Sequence, residues 1–474
     1  MNILVLEAST TSAKAMLYDT ADGSFEVKAR EYLGNCEDVA LHDAENVYRN
    51  VMRLGREVSL GKKVEMIALG VTWHSLLLCD KNMRSATPVY LWSYTGAAGL
   101  CRELRSDPEY VKHFYHKTGC MVNAIYPYFK LMHLRKTGYD LKNYYIMGQG
   151  TYNCYRMTGK RVITPCMASG TGLLNIHTRQ FDRELLEELG IAEEQLSELV
   201  DYRQTFPLTG EAAKLLGVEP GIPVIPANSD GGLNQVGVGA MEEGVMTFSV
   251  GTSGAIRLTT DRPIIPEQPG TWCYLSPKAW LSGAATNGCC NCIDWFKKGV
   301  YGSKVSYEEI ERGISDRETT PVFLPFLYGE RCPGWDDERT GGFLGVQPWH
   351  GPGDLYRAVQ EGVLFNLYQC YKMLSGLHGV PKKIKFSGGI LHSEEWTQMC
   401  ADIFQAELEV DGNEHGSLLG GAILAMELAG ILEDVRDFRP KPVRVVLPDR
   451  EKACFYEQKY ERYLDCYHRM NRPL

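Results

Sequence analysis

An α/β protein built from two similar halves is what this 474-residue sequence predicts. Three observations support it. The chain opens on an apolar run, a small polar turn and a second apolar run, "NILVLEASTTSAKAML", and the same layout returns at 244–258 as "GVMTFSVGTSGAIRL". Late in the chain, an apolar run ends in glycine and hands over to a helical pattern.

The elements follow in order. Residues 3–7 and 13–18 are aliphatic strands around the turn Ser9, Thr10, Thr11, Ser12, and a third strand at 64–71 ends beside Trp73 and His74. Leu185 to Leu189 and Glu211 to Leu216 predict short helices, the second stopped by Gly217 with Pro220 beyond it. A strand at 222–226 leads into Asn228, Ser229, Asp230, Gly231 and Gly232. The Gly-rich, acidic stretch "VGVGAMEEG" at 236–244 marks the boundary, giving domains 1–238 and 239–474. In the second half "KKIKFSGGI" is a strand ending in Gly388 and Gly389. Trp396, Met399, Cys400, Ile403 and Phe404 then share one face of a helix that Ser393 caps, with Glu394 and Glu395 in its positive first turn. The helix at 417–430 carries Gly420 and Gly421, which allow close backbone approach.

Composition excludes several functions. With 50 basic and 59 acidic residues the net charge is −9, so no general field attracts nucleic acid or an acidic membrane surface. No apolar run approaches the roughly 20 residues of a spanning helix, and residues 1–12 lack the pattern of a signal peptide, which predicts a cytoplasmic protein. Fifteen cysteines, odd in number and without paired spacing, predict free thiols. Cys289, Cys290 and Cys292 read as small buried side chains on a helix, since no second Cys/His pair at zinc-like spacing accompanies them.

The polar turns carry the chemistry. Each offers backbone N–H groups and hydroxyls to an approaching phosphate. The first adds Lys14, a point charge, and Glu7, a hard oxygen ligand suited to Mg²⁺. Asp230, just past a strand end, supplies the one base that phosphoryl transfer needs beside phosphate clamps and a metal. The sequence holds no G-x-x-x-x-G-K-[ST], no G-x-G-x-x-G opening a helix, no H-E-x-x-H and no G-x-S-x-G.

These residues resemble the FGGY family of carbohydrate kinases, of the sugar kinase, Hsp70 and actin superfamily. The resemblance rests on "TTSAKA" in the first turn, "PVYLW" at 88–92, "MASGTGLLN" at 167–175 and "GEAAKLLGVEPGIPVIPANSDGG" at 210–232. "VGTSG" at 250–254, "FLPFLYGERCPGWDDERTGGFLGV" at 323–346 and "FSGGILHSEEWTQMCADIF" at 386–404 complete it. It implies two ribonuclease-H-like domains of the actin-like ATPase type with the active site in the cleft between them. It also implies ATP-dependent phosphorylation of a hydroxyl of a sugar, sugar acid or polyol, gluconate-like or xylulose-like, with Mg²⁺. By resemblance Asp230 is the catalytic base, and Thr10, Thr11, Lys14, Gly251 and Thr252 hold the ATP phosphates. Gly288, Gly389 and Ser393 line the nucleotide pocket, Trp73, His74 and Trp92 meet the sugar, and Glu7 serves the metal. Homodimers are frequent among proteins so resembled.

Two departures stand out. Where the family has Asp-x-Gly-Thr, this chain has Glu7, Ala8, Ser9, Thr10, and the Asp and Arg that follow the family's Trp are Tyr94 and Gly96 here. Three readings follow: a working kinase of altered preference, a catalytically impaired sugar- or nucleotide-binding regulatory relative, and a nucleotide-gated ATPase. The intact Asp230 and second turn favour the first.

Overall fold

Each half of the computed structural model, which describes residues 1–32, 36–302, 304–313, 319–412 and 415–470, is organised around one mixed sheet. In the first half β1 (Asn2–Ala8), β2 (Ser12–Asp19) and β3 (Phe25–Glu31) form an antiparallel meander. β4 (Met66–Val71) runs parallel to β1, and β5 (Pro223–Ser229) runs parallel to β4. The short strand Phe206–Pro207 closes the far edge. β1 and β4 are apolar almost throughout because helices cover both of their faces. One of these is α1 (Ala44–Ser59), whose N-cap Asp43 accepts from the Asn46 amide.

The second half repeats the plan. β6 (Val245–Val250), β7 (Gly254–Thr260) and β9 (Trp280–Thr286) make the meander, with β8 (Trp272–Leu275) added outside it. β10 (Lys383–Ser387) and β11 (Leu408–Val410) continue in parallel, and β12 (Arg444–Val446) ends the sheet. The order β3-β2-β1-β4-β5 in one sheet is thus matched by β9-β7-β6-β10-β11 in the other. The similarity of the two opening segments extends through five strands. This is the doubled α/β architecture that the sequence predicts, with the strands and helices named above present within a few residues of their expected bounds.

Four helices position the site. α2 (Pro127–Lys136) lies in the first half, and α3 (Asp230–Gly237) starts directly from β5. α4 (Cys290–Phe296) follows β9, and α6 (Glu394–Phe404), capped by Ser393 through the Trp396 amide, follows the long α5 (Pro352–His378) and β10. α7 (Gly416–Leu428) belongs to the second half by sequence but packs on α3, β1 and β4 of the first. A Cβ at Gly420 would stand 1.9 Å from the Leu233 carbonyl oxygen, and one at Gly421 2.6 Å from Val5 Cγ1. The glycines of this helix therefore permit the contact, as expected.

All fifteen cysteines are free thiols. Cys289 and Cys292 are buried at the start of α4, and burial pushes the Cys292 thiol up to about 12. Among the described residues no helix is long and apolar enough to cross a membrane.

Candidate active site

The hairpin register sets Glu7 on β1 opposite Lys14 on β2, and Lys14 Nζ donates to Glu7 Oε1 at 3.0 Å. Ser9 Oγ donates to the same oxygen at 2.6 Å. The parallel register with β4 places Gly70 beside Glu7, and a Cβ there would meet Glu7 Cγ at 3.3 Å and Leu233 Cδ1 at 3.1 Å. The glycine makes room for the longer acid, and the serine holds it. The two changes in the first motif are therefore one coupled adjustment. Glu7 Oε2 is left buried with no hydrogen-bond donor among the described residues.

Asp230 is the first residue of α3, behind the N-cap Ser229, whose Oγ accepts from the Gly232 amide at 2.9 Å. Its own Oδ1 accepts from the Gly231 amide at 2.7 Å. Burial first, and then the negative charge of Glu7, push its carboxyl up to about 6, against the opposing pull of Arg257 and Lys14. A carboxyl tuned this way is ionised near neutral pH yet basic enough to take a proton.

An aromatic floor adjoins it. A Cβ at Gly231 would stand 2.5 Å from the Trp73 ring, so only glycine lets the helix start pass over that indole. Trp73 Nε1 donates to the Cys166 carbonyl at 2.9 Å, and its ring is 5.2 Å from that of Tyr274. His74 is buried in a left-handed backbone conformation with φ of 69°, an uncommon state that functional sites retain. Its Nδ1 is 2.6 Å from the Gly170 carbonyl, so that nitrogen carries the proton. Burial holds its pKa down at about 3, leaving the Nε2 lone pair as an acceptor. Beneath it Lys130 on α2 is fully buried, and its Nζ donates to the carbonyls of His74, Leu91 and Ile125 at 2.8, 2.6 and 2.9 Å. One lysine thus ties together the two segments that carry His74 and Trp92. Trp92 Nε1 in turn donates to Thr10 Oγ1 at 3.1 Å, joining the expected sugar residue to the first turn. Thr11 is exposed at the tip of that turn.

The second turn is built differently. Gly251 and Thr252 lie open, with nothing closer than Ser253 O at 3.8 Å to a Cβ on Gly251 and the Thr252 side chain exposed. Their carbonyls accept from the amides of Cys290 and Asn291 at the start of α4. Gly388, with φ of 108°, packs its α-carbon against the Val250 backbone beside this turn. Gly389 and Ser393 line a cavity of about 550 Å³ together with Cys290, Tyr307, Tyr356 and Trp396. Gly288 faces away from open space, because a Cβ there would meet the Pro325 carbonyl oxygen at 2.0 Å, and packing alone accounts for a glycine.

Several site features are not evident in the sequence. Tyr94 lies against Tyr90, with ring centroids 4.7 Å apart, and a Cβ at Gly96 would strike the Tyr94 hydroxyl at 2.2 Å. The departures at 94 and 96 are thus a matched pair in which the phenol fills the space over the glycine. Arg257 on β7 also reaches the floor, its Nε 3.2 Å from a Cβ on Gly231, and Arg331, in the loop before the buried Trp335, acts electrostatically on His74, Tyr126 and Tyr274 of that floor. Alternation along β7 gave a hint for Arg257 only, and nothing in sequence spacing joins it to Arg331.

The fold and the site together define a two-domain protein of the actin-like ATPase fold, with a raised carboxyl and a charged turn beside the junction of its halves. Comparison with known proteins narrows that class. Residues 2–237 match the N-terminal domain of the FGGY family of carbohydrate kinases, and residues 246–429 match its C-terminal domain. The chain belongs to this family. It is 27% identical to the gluconokinase of Bacillus subtilis, over 91% of this chain and 88% of the relative, and 26% identical to the xylulose kinase of Escherichia coli, over 89% and 88%. The crystal structure of gluconate kinase from Lactobacillus acidophilus superposes with a TM-score of 0.93 at 26% identity, covering 99% of this chain and 98% of that one.

Proposed function

We propose that this chain transfers the γ-phosphoryl group of ATP to a hydroxyl of a sugar, sugar acid or polyol, as a working enzyme of the FGGY type. One observation carries the reading: Asp230, raised to about 6, stands in the field of Glu7, whose second oxygen is buried without a donor. A base and an unsatisfied hard oxygen are the two parts that phosphoryl transfer cannot take from backbone alone.

In this reading ATP lies along the two polar turns, with Thr10, Thr11 and the open Gly251 and Thr252 against its phosphates and Gly389 and Ser393 against the nucleoside. Glu7 Oε2 fits Mg²⁺, directly or through water, and the ion would offset the charge of the phosphates. Lys14 fixes the other Glu7 oxygen and adds a positive charge to the same turn. The acceptor lies on Trp73 and His74, where His74 Nε2 accepts a hydroxyl proton in a hydrogen bond. Asp230 takes the proton of the attacking hydroxyl as its oxygen bonds to the γ-phosphorus and the bond to the ADP oxygen breaks.

The coupled changes at Glu7 and Ser9, with Gly70 beside them, support an adapted site over an impaired one. A decayed motif would leave the extra methylene unsupported, whereas here both neighbours accommodate it. The test is ADP release from Mg·ATP with a panel of sugars, aldonates and polyols against a control without acceptor. A rise with at least one acceptor, abolished by Asp230→Asn, is expected. No rise with any acceptor would overturn the reading.

A further inference from the structure

The floor of the site holds more positive charge than its own residues neutralise. Glu7 and Lys14 form a pair, which leaves Asp230 as the carboxylate beside Arg257, and Arg257 in turn feels a second guanidinium, Arg331. Arg257 lies close enough to feel Asp230, Arg331 and Tyr274, and Arg331 in turn acts on His74, Tyr126 and Tyr274. Neither arginine forms an ion pair or a side-chain hydrogen bond among the described residues. Arg257 Nε and Arg331 Nε are both buried without an acceptor, and so is Nε1 of Trp272, which stacks on Tyr274 with centroids 4.2 Å apart.

The acids nearest to Arg331 in sequence are engaged elsewhere. Glu330 accepts from Arg339, Tyr467 and the Gly334 amide, the exposed Asp336 accepts from the Glu338 amide, and Asp337 and Glu338 pair with Arg105 and Arg102 of the first half. The backbone on either side of Arg331 is fixed. Glu330 donates its amide to the Asp336 carbonyl at 2.8 Å, and Cys332 donates its amide to the Ala285 carbonyl on β9 at 3.0 Å. Arg257 sits between Thr247 and Gly283 in the sheet register. Two guanidiniums held this way are costly to leave unpaired.

All three unpartnered groups are donors, and two carry charge. A neutral polyol would meet them with hydroxyls that bring no charge, whereas a carboxylate offers two acceptor oxygens and the missing negative charge. The aromatic floor of Trp73, His74, Tyr126 and Tyr274 places this surplus on the acceptor side of Asp230, among none of the residues assigned above to the ATP phosphates. We infer that the acceptor is a sugar acid, an aldonate or a close relative, whose carboxylate is bound by Arg257 and Arg331 while a hydroxyl of its chain faces Asp230. This rests on the kinase reading for the hydroxyl, but not for the carboxylate.

The experiment separates the two. Binding of D-gluconate and of D-glucitol, the same carbon chain with a neutral end, is measured by calorimetry without nucleotide, and phosphorylation of each is measured with Mg·ATP. The expected result is gluconate binding at least about 100-fold tighter than glucitol. Arg257→Gln and Arg331→Gln should each weaken gluconate by about 30-fold or more while changing glucitol and ATP affinity less than about threefold. Arg331→Lys should recover part of the loss, and thermal melting of each variant confirms that it folds. Equal binding of the two probes by the unmodified protein would overturn the inference. Variants that lose ATP affinity instead of gluconate would also overturn it, since the arginines would then serve the phosphates. Gluconate bound selectively but not phosphorylated would leave the carboxylate site standing and sink the kinase reading.

Discussion

The turn between β1 and β2 and its counterpart between β6 and β7 occupy the same place in sheets of the same order, yet they differ in what they offer a ligand. The first is charged and cross-tied: Glu7, Ser9 and Lys14 meet at one carboxylate oxygen, and Trp92 reaches Thr10 from outside. The second has no charged side chain, and its exposed Thr252 and bare Gly251 present backbone and hydroxyl only. The two sheets share their strand order and differ in the groups their turns offer. In the proposed reading the first turn and Asp230 carry groups whose ionisation matters, and the second turn gives the phosphates a neutral rest.

If that division is right, changes at the first turn and Asp230 should strike the rate and changes at the second turn should strike nucleotide affinity. The largest effect is expected for Asp230→Asn, which removes the base and should lower kcat by about 10²- to 10⁴-fold with little change in ATP affinity. Glu7→Asp should follow. Although it restores the family's residue, it withdraws the carboxylate from the bonds of Ser9 and Lys14, and a loss of about 10- to 100-fold in kcat/KM is expected. A gain would mean that the motif is impaired and not adapted.

Acidity offers a third cut. With Asp230 raised to about 6, its ionised fraction falls as pH drops below that value, so kcat/KM should decline toward tenfold per pH unit on the acid side. Lys14→Met removes a charge that favours the ionised form and should move the midpoint upward. His74, held near 3, should leave no inflection of its own above pH 5. In the second half Thr252→Val should raise the KM for ATP several-fold without shifting the midpoint. The smallest change is expected for Gly70→Ala, whose methyl would press on Glu7 Cγ and Leu233 Cδ1, costing a few-fold in rate.

Much of the fold was legible because the central strands β1, β4 and β6 are largely apolar runs followed by Gly, Ser or Thr, and such runs read the same in any context. The helix behind Ser393 was legible for a related reason, since its apolar period and its cap agree. What escaped the sequence depends on register and on contacts between distant segments. Gly70 is an unremarked strand glycine until the parallel pairing sets it beside Glu7. Tyr94 and Gly96 look like two independent losses until the phenol is seen over the glycine. Arg257 reads as one polar position in an alternating strand, and its relation to Arg331, 74 positions later, exists only in the folded chain. Lys130 is hidden similarly, because nothing local marks a lysine whose three acceptors come from three other turns of chain.

The glycine contact between α3 and α7 has a mechanical consequence. Backbone packs on backbone at Gly237 against Gly416 and at Gly420 against Leu233, so the two helices cannot slide past one another without collision. Any closing of the halves would have to turn about this line of contact, as a door turns on its pin. Asp230, at the first residue of α3, rides on the pin, while the two hairpin tips lie out on the leaves. A closure of this kind would leave the base in place while the hairpin tips approached each other. Gly420→Ala, which would jam the pin, should slow turnover more than it weakens binding of either substrate.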